Sequence, residues 1–249
     1  MSRDLFGLSH IRQLDEIQNA RLRKTGEGIG REVQVLIDQL TSGGVAPLGD
    51  IRVTQAKVLW NRGWGRERGI TTFEEYLNSI PLAPERPAGM PNCFRPVLWD
   101  LFPLFREKGK TPRVSITKAC QLLGVAFSGD DETFVNHEAT PEITDPVYWV
   151  WCQGGRRNRG KAPRDCRKVF TPPEVSLEAI GGLFLYAQDP TVIGREGDFH
   201  IMDLLGSVRR KDPSSCACLR VLYGEPRLFW RSDDSAGAGP RCGSASRGE

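Results

Sequence analysis

The chain predicts an α+β fold: a helical N-terminal region, then a mixed β-sheet domain with flanking helices and a C-terminal hairpin. Three observations lead there. Apolar residues recur at helical spacing through roughly the first eighty positions. A proline-rich break follows at 81–91. Beyond it, short β-branched and aromatic runs alternate with brief helical segments. The hydrophobic fraction of 39% against 26% charged excludes a disordered composition, and 249 residues suffice to bury a core without staples.

The N-terminal helices come first. Ser9 caps a helix to about Lys24, with Ile11, Leu14, Ile17 and Leu22 near one face. A second is expected over about Gly30–Leu40, where Val33, Leu36, Ile37 and Leu40 keep the 3.6-residue period until Gly43-Gly44 stops it. A third, about Thr54–Asn61, ends at "NRGWGRERG". In "TTFEEYL", Thr71 with Glu74 or Thr72 with Glu75 forms a capping box for a helix that ends near Ile80, ahead of Pro81. "PLAPERPAGMP" (81–91) holds four prolines in eleven residues and can neither continue a helix nor sit inside a sheet. It is read as a linker between a helical region, 1–80, and an α+β domain, 92–249.

In the second domain "RPVLWDLF" reads as a buried strand, and "KTPRVSI" as a short strand leading into the helix "TKACQLLG", stopped by Gly124. "VAFSGDDETFVNHEATPEITDP" is turn-rich. "VYWVWCQ" (147–153) puts Tyr148, Val150 and Cys152 on one face and Trp149 and Trp151 on the other. Both faces are apolar, so a central strand is expected. Pro163 opens a short helix, "PRDCRKVF". Ser176 caps "SLEAIGGLFLYAQ", in which Gly181-Gly182 invites close packing. "FHIMDLLGS" is a further strand candidate. "CACLRVLY" and "RLFWRS", joined by "GEP", read as a β-hairpin. The tail "DDSAGAGPRCGSASRGE" is small and polar, disordered or a coil laid over the domain.

No unbroken apolar leader opens the chain, and no run approaches the roughly 18–20 apolar residues of a membrane span; a cytoplasmic protein without a membrane partner is expected. Seven cysteines, an odd number, argue against a disulfide framework. Cys216 and Cys218 fall on one face of a strand and, with Cys152, Cys166 or Cys242, offer thiolates to zinc. No C-x₂-C pair supports that, and buried thiols are the plainer reading. Neither a metal nor a cofactor is therefore expected.

"DPVYWVWCQGGRRNRGK", "SLEAIGGLFLYAQDPTVI", "HIMDLLGSVRR", "CACLRVLYGEPRLFWR" and "CGSAS" follow one another in an order that resembles an uncharacterised bacterial family, a domain of unknown function, over about residues 92–246. The resemblance implies a bacterial, intracellular protein whose C-terminal domain holds the basic stretch described next. It brings no activity, cofactor or catalytic residue.

That stretch is the main functional candidate. Net charge is only +3, too weak to imply a polyanionic partner by itself. Yet residues 154–168 gather Arg156, Arg157, Arg159, Lys161, Arg164, Arg167 and Lys168 around one acid, Asp165. Arginine and lysine bind phosphate, arginine with bidentate geometry. Gly154-Gly155 and a helix starting near Pro163 add backbone N–H groups. The spacing matches neither a P-loop nor a dinucleotide fingerprint. The plainer alternative is a solvated loop paired with nearby carboxylates. Two further readings stand beside a non-catalytic binding protein that contacts nucleic acid or a phosphorylated ligand. One is an enzyme acting on a phosphate-containing substrate, with Asp130 and Asp131 of "SGDDET" as metal or acid–base groups; those residues equally suit an ordinary turn. The other is a protein–protein interaction module built on the N-terminal helices. The serines of "CGSAS" do not form a G-x-S-x-G elbow.

Overall fold

Helix α1 (Leu48–Asn61) turns Ala56 and Leu59 into the core. Its Gln55 bonds to the backbone of a neighbouring strand: Nε2 donates to Pro96 O at 2.8 Å and Oε1 accepts from Leu98 N at 2.7 Å. A helical side chain thus occupies the place of a further strand and covers a sheet edge. Short helices α2 (Trp64–Glu67) and α3 (Phe73–Asn78) follow. Thr72 caps α3 by accepting from Glu75 N, as the second of the two expected pairs would place it.

The computed structural model describes residues 48–108, 111–137, 145–194, 201–232 and 241–248. The helices expected at Ser9–Lys24 and Gly30–Leu40 lie outside the described residues. The fold is α+β, with a curled mixed sheet and helices ahead of it. Strands β1 (Arg95–Asp100), β2 (Phe105–Lys108) and β3 (Thr111–Val114) precede helix α4 (Ile116–Leu123), which Ser115 caps and Gly124 ends. Then come β4 (Ala126–Phe127), β5 (Phe134–Asn136), β6 (Val147–Gln153), α5 (Pro163–Val169), β7 (Glu174–Ser176), α6 (Ala179–Gln188), β8 (Ile201–Arg209), β9 (Asp212–Leu222), β10 (Glu225–Ser232), β11 (Cys242–Ser244) and β12 (Ser246–Gly248). One antiparallel sheet runs β1-β6-β12-β7. A mixed sheet runs β11-β8-β9-β10-β4, with β5 also on β8. A β2-β3 hairpin stands apart.

Helix α6 packs on strands of both large sheets, which explains its two glycines. A Cβ on Gly181 would lie 2.3 Å from Trp99 of β1, and one on Gly182 would lie 2.4 Å from Leu204 of β8. Eight of its ten residues are buried, so the helix is apolar nearly all round, as a core helix must be. It starts at Ala179, with Glu178 in the cap position. Ser176, the expected cap, instead ends β7, because β12 claims that segment as a strand partner.

Two expectations need correction. The described residues of the helical region do not form a body separated by a linker at 81–91. Their unit begins at Leu48, and Ala56, Leu59, Trp64, Tyr76 and Ile80 share one core with β1, β6 and α6. The prolines mark an extended strap on the tryptophan face of β6. Trp149 Nε1 donates to Pro81 O at 2.9 Å, and Arg86 stacks over Trp151 at 5.4 Å. This cover is why β6 reads as apolar on both faces. The second correction concerns the tail, where 241–248 forms two strands. β12 inserts between β6 and β7, and β11 runs parallel along the edge of β8.

Three buried carboxylates carry arginine partners. Asp100 accepts from Arg68 at 3.1 Å and from Tyr76 Oη at 2.9 Å, while its backbone carbonyl accepts from Trp64 Nε1 at 2.7 Å. Asp203 accepts from Arg231 at 3.2 Å on both oxygens. Glu178 accepts from Arg247 Nε at 3.0 and 3.1 Å. Burial raises the Asp100 and Glu178 carboxyls above their ordinary range, against the lowering pull of Arg68 and Arg247 respectively.

Candidate functional site

The basic loop leaves β6 at Gln153 and is tied down by its neutral residues. Gln153 Oε1 accepts from Gly155 N at 2.6 Å, while its Nε2 donates to Ser244 O at 3.1 Å and Ser246 Oγ at 2.7 Å. Asn158 Nδ2 donates to the same Ser244 carbonyl at 2.9 Å, and Gly160 N donates to Cys242 O at 2.9 Å. Gly155 adopts φ +86°, and a Cβ there would lie 2.4 Å from Gly243 O; only glycine fits both the dihedral and the approach. The "CGSAS" stretch is therefore the seat of the loop, the Ser244 carbonyl fixing Gln153 and Asn158 and the Cys242 carbonyl fixing Gly160.

With the backbone seated, the charges are left outside. Arg156, Arg157, Arg159, Lys161, Arg164 and Lys168 are exposed; Arg167 is half-buried and donates to Leu205 O at 3.4 Å. Asp165 lies 3.3 Å from Lys168 Nζ and 3.8 Å from Arg164 Nε, exposed pairs of the kind that contribute little.

Arg156 and Arg157 turn aside from the others and line a cleft of about 250 Å³. Its wall also includes Cys93, Arg95, Gln153, Asp189 and Thr191. Arg156 donates to Thr191 O at 2.6 Å. Arg157 pairs with Glu174 and lies 5.6 Å from the Phe94 ring centroid. Arg95 pairs with Asp189, whose carboxylate also accepts from Thr191 N and Oγ1 at 2.8 and 2.6 Å. Burial acts to raise the Asp189 pKa, but the Thr191 and Arg95 hydrogen bonds and charge outweigh it, leaving this carboxyl below its ordinary value. Three guanidiniums thus face one space that holds a single carboxylate.

Arg95, Asp189 and Thr191 were not picked out from the sequence. The signal for Arg95 is strand pairing: it sits opposite Cys152 in the β1-β6 register, one step from the loop. Asp189 carries no such signal, because only the fold of α6 delivers it there.

Asp130 and Asp131 line no part of the cleft. Asp130 caps a short 3₁₀ turn by accepting from Thr133 N at 3.1 Å. Asp131 accepts from Ser115 Oγ and Thr117 N, both at 2.8 Å, at the start of α4. Among the described residues no group of three or more His, Cys, Asp or Glu side chains is placed to hold a metal. Cys152, Cys166, Cys216, Cys218 and Cys242 are buried, and burial pushes the Cys218 thiol well above its usual value. The aromatics of β6 are engaged by the strap and by Trp99, which Tyr148 meets at 5.5 Å. No helix of the described residues is long and apolar enough to cross a membrane.

Comparison with protein-family models, curated proteins and solved structures finds no match to this chain.

Proposed function

We propose that the protein is a non-catalytic cytoplasmic binding module that contacts the phosphates of nucleic acid through the basic loop 154–168. One observation carries the reading. The loop's backbone is fixed by Gln153, Asn158 and Gly160, while six of its seven basic side chains stand exposed on it. A seated loop holds charge in register with a polyanion at lower entropic cost than a free one. Its aromatic neighbours are packed elsewhere, so backbone contact rather than base stacking is the expected mode.

The test is a titration of the full chain against labelled single- and double-stranded DNA and RNA at two salt concentrations. A variant carrying Arg159→Gln, Lys161→Gln, Arg164→Gln and Lys168→Gln runs beside it. Affinity should fall steeply with salt as bound counterions are released. The magnitude of the variant's salt slope should be smaller by about one for each phosphate-contacting residue removed. Equal binding by both proteins, or none by either, defeats the proposal.

A further inference from the structure

The loop's basic residues divide between two places, and the division points to a second binding element. Arg159, Lys161, Arg164 and Lys168 are exposed and do not line the cleft, whereas Arg156 and Arg157 line it with Arg95. We infer that the cleft bounded by Arg95, Arg156, Arg157 and Thr191 binds a phosphate monoester, the end group of a phosphorylated strand or of a small phosphorylated molecule. The inference rests on the phosphate-binding reading above and adds what the cleft itself recognises.

Charge is the first argument. The lining carries three guanidiniums and one carboxylate, Asp189; counting Glu174, which pairs with Arg157 from outside the lining, the group keeps a formal excess of one positive charge. A monoester carries about −1.5 to −2 near neutral pH, whereas each linkage within a strand carries one negative charge. That excess attracts a phosphate of either kind, and the size of the cleft selects between them.

Shape is the second. At about 250 Å³ the space is below the roughly 300–1,000 Å³ of drug-sized sites. It leaves room for a phosphate and a short stub.

Preorganisation is the third. Each guanidinium is held through a terminal nitrogen: Arg95 by Asp189, Arg156 by the Thr191 carbonyl and Arg157 by Glu174. Glu174 also accepts from Ser246 Oγ, so Arg157 is tied through it to β12. A guanidinium has five N–H donors, so these contacts orient the groups while leaving donors for phosphate oxygens. Asp189 works against an anion by its charge and for it by fixing Arg95.

Cys93 supplies the readout. It lines the cleft and is exposed, while the other six cysteines are buried. Alkylation by iodoacetamide, followed by mass spectrometry at Cys93, reports occupancy directly. The probes are phenyl phosphate with phenol as its control, and one oligonucleotide made with a 5′-phosphate or a 5′-hydroxyl. Binding of the oligonucleotides is followed in parallel by fluorescence anisotropy.

The expected result is alkylation slowed at least about tenfold by saturating phenyl phosphate and unaffected by phenol. Protection should be lost in Arg156→Gln and in Arg95→Gln but kept in the four-residue variant of the outer face. Each charge-assisted hydrogen bond lost should weaken the probe about tenfold. Protection by the 5′-phosphorylated strand at lower concentration than by phenyl phosphate identifies a nucleic-acid end as the source; protection by phenyl phosphate alone identifies a small molecule. If neither phenyl phosphate nor an oligonucleotide protects Cys93 while the oligonucleotides bind in a salt-sensitive way without preference for the 5′-phosphate, the inference falls and the loop's role in backbone binding stands. If no probe binds by either measurement, both fall.

Discussion

The arginines of this chain live in two environments. Arg68, Arg231 and Arg247 reach fully or almost fully buried carboxylates, Asp100, Asp203 and Glu178. Arg159 and most of its loop neighbours are exposed, and Asp165, which pairs with Arg164 and Lys168, is itself exposed. Arg95, Arg156 and Arg157 fall between, each tethered at one point and facing a cleft. The same residue type ties the core together in the first setting and lies at the surface or in a cleft in the other two. What separates them is the partner's burial. A carboxylate out of water holds its guanidinium tightly, because removing either group strands the other. A carboxylate in water binds weakly and yields to competition.

The strongest way to break that comparison is Arg247→Met. It leaves Glu178 buried without its guanidinium and should cost about 3–5 kcal/mol in urea denaturation. The loss should also depend on pH. Burial raises the folded-state pKa of Glu178 above its ordinary 4.5, and the variant lacks the charge that opposes this rise. Folding then favours the protonated form, so the variant is most stable in acid and weakens as pH rises from about 4.5 through the raised value. A variant as stable as the wild type at neutral pH, or one that weakens toward acid, would place Arg247 among the surface arginines after all.

A smaller effect is expected from Asn158→Ala, which removes one bond from the loop to the Ser244 carbonyl and leaves a buried acceptor with one partner fewer. Stability should fall by about 1–2 kcal/mol. Salt-sensitive binding should weaken too, because the charges lose their register. Loss of stability with unchanged binding would show that the seat of the loop does not matter to its partner. The smallest effect belongs to the four-residue variant of the outer face. Its stability should stay within about 0.5 kcal/mol of the wild type while its binding falls, so that thermal unfolding and titration separate what the buried pairs couple.

Local signals carried much of this picture. Thr72 and Gly124 mark helix ends in the sequence and do so in the fold; the Ser115 cap was hidden in a run read as a strand. The alternation in "VYWVWCQ" locates a central strand, and Pro163 opens the short helix as its fixed dihedral allows. What was not legible depends on long-range pairing. "CGSAS" has no strand pattern of its own; it becomes two strands because Gln153, Asn158, Asp203 and Ser176 lie where its backbone can bond. The prolines of 81–91 advertise a break in hydrogen bonding, and such a break suits a strap against tryptophans as well as a linker. At the candidate site, the charge of the loop was visible in the sequence. Its split between an outer face and a cleft was not, because Arg95 and Asp189 enter from residues 94 positions apart in the chain.

The insertion of β12 also bears on time. Gln153 closes its contact with Ser246 across 93 residues, among the long-separation contacts that slow folding because the chain must first lose the entropy of a large loop. The basic loop takes its final shape only when that return is made. During refolding, helix signals should recover first and phosphate binding last. The proposed binding surface then exists only in molecules whose two sheets are already complete, and a half-folded chain presents its charges without their register.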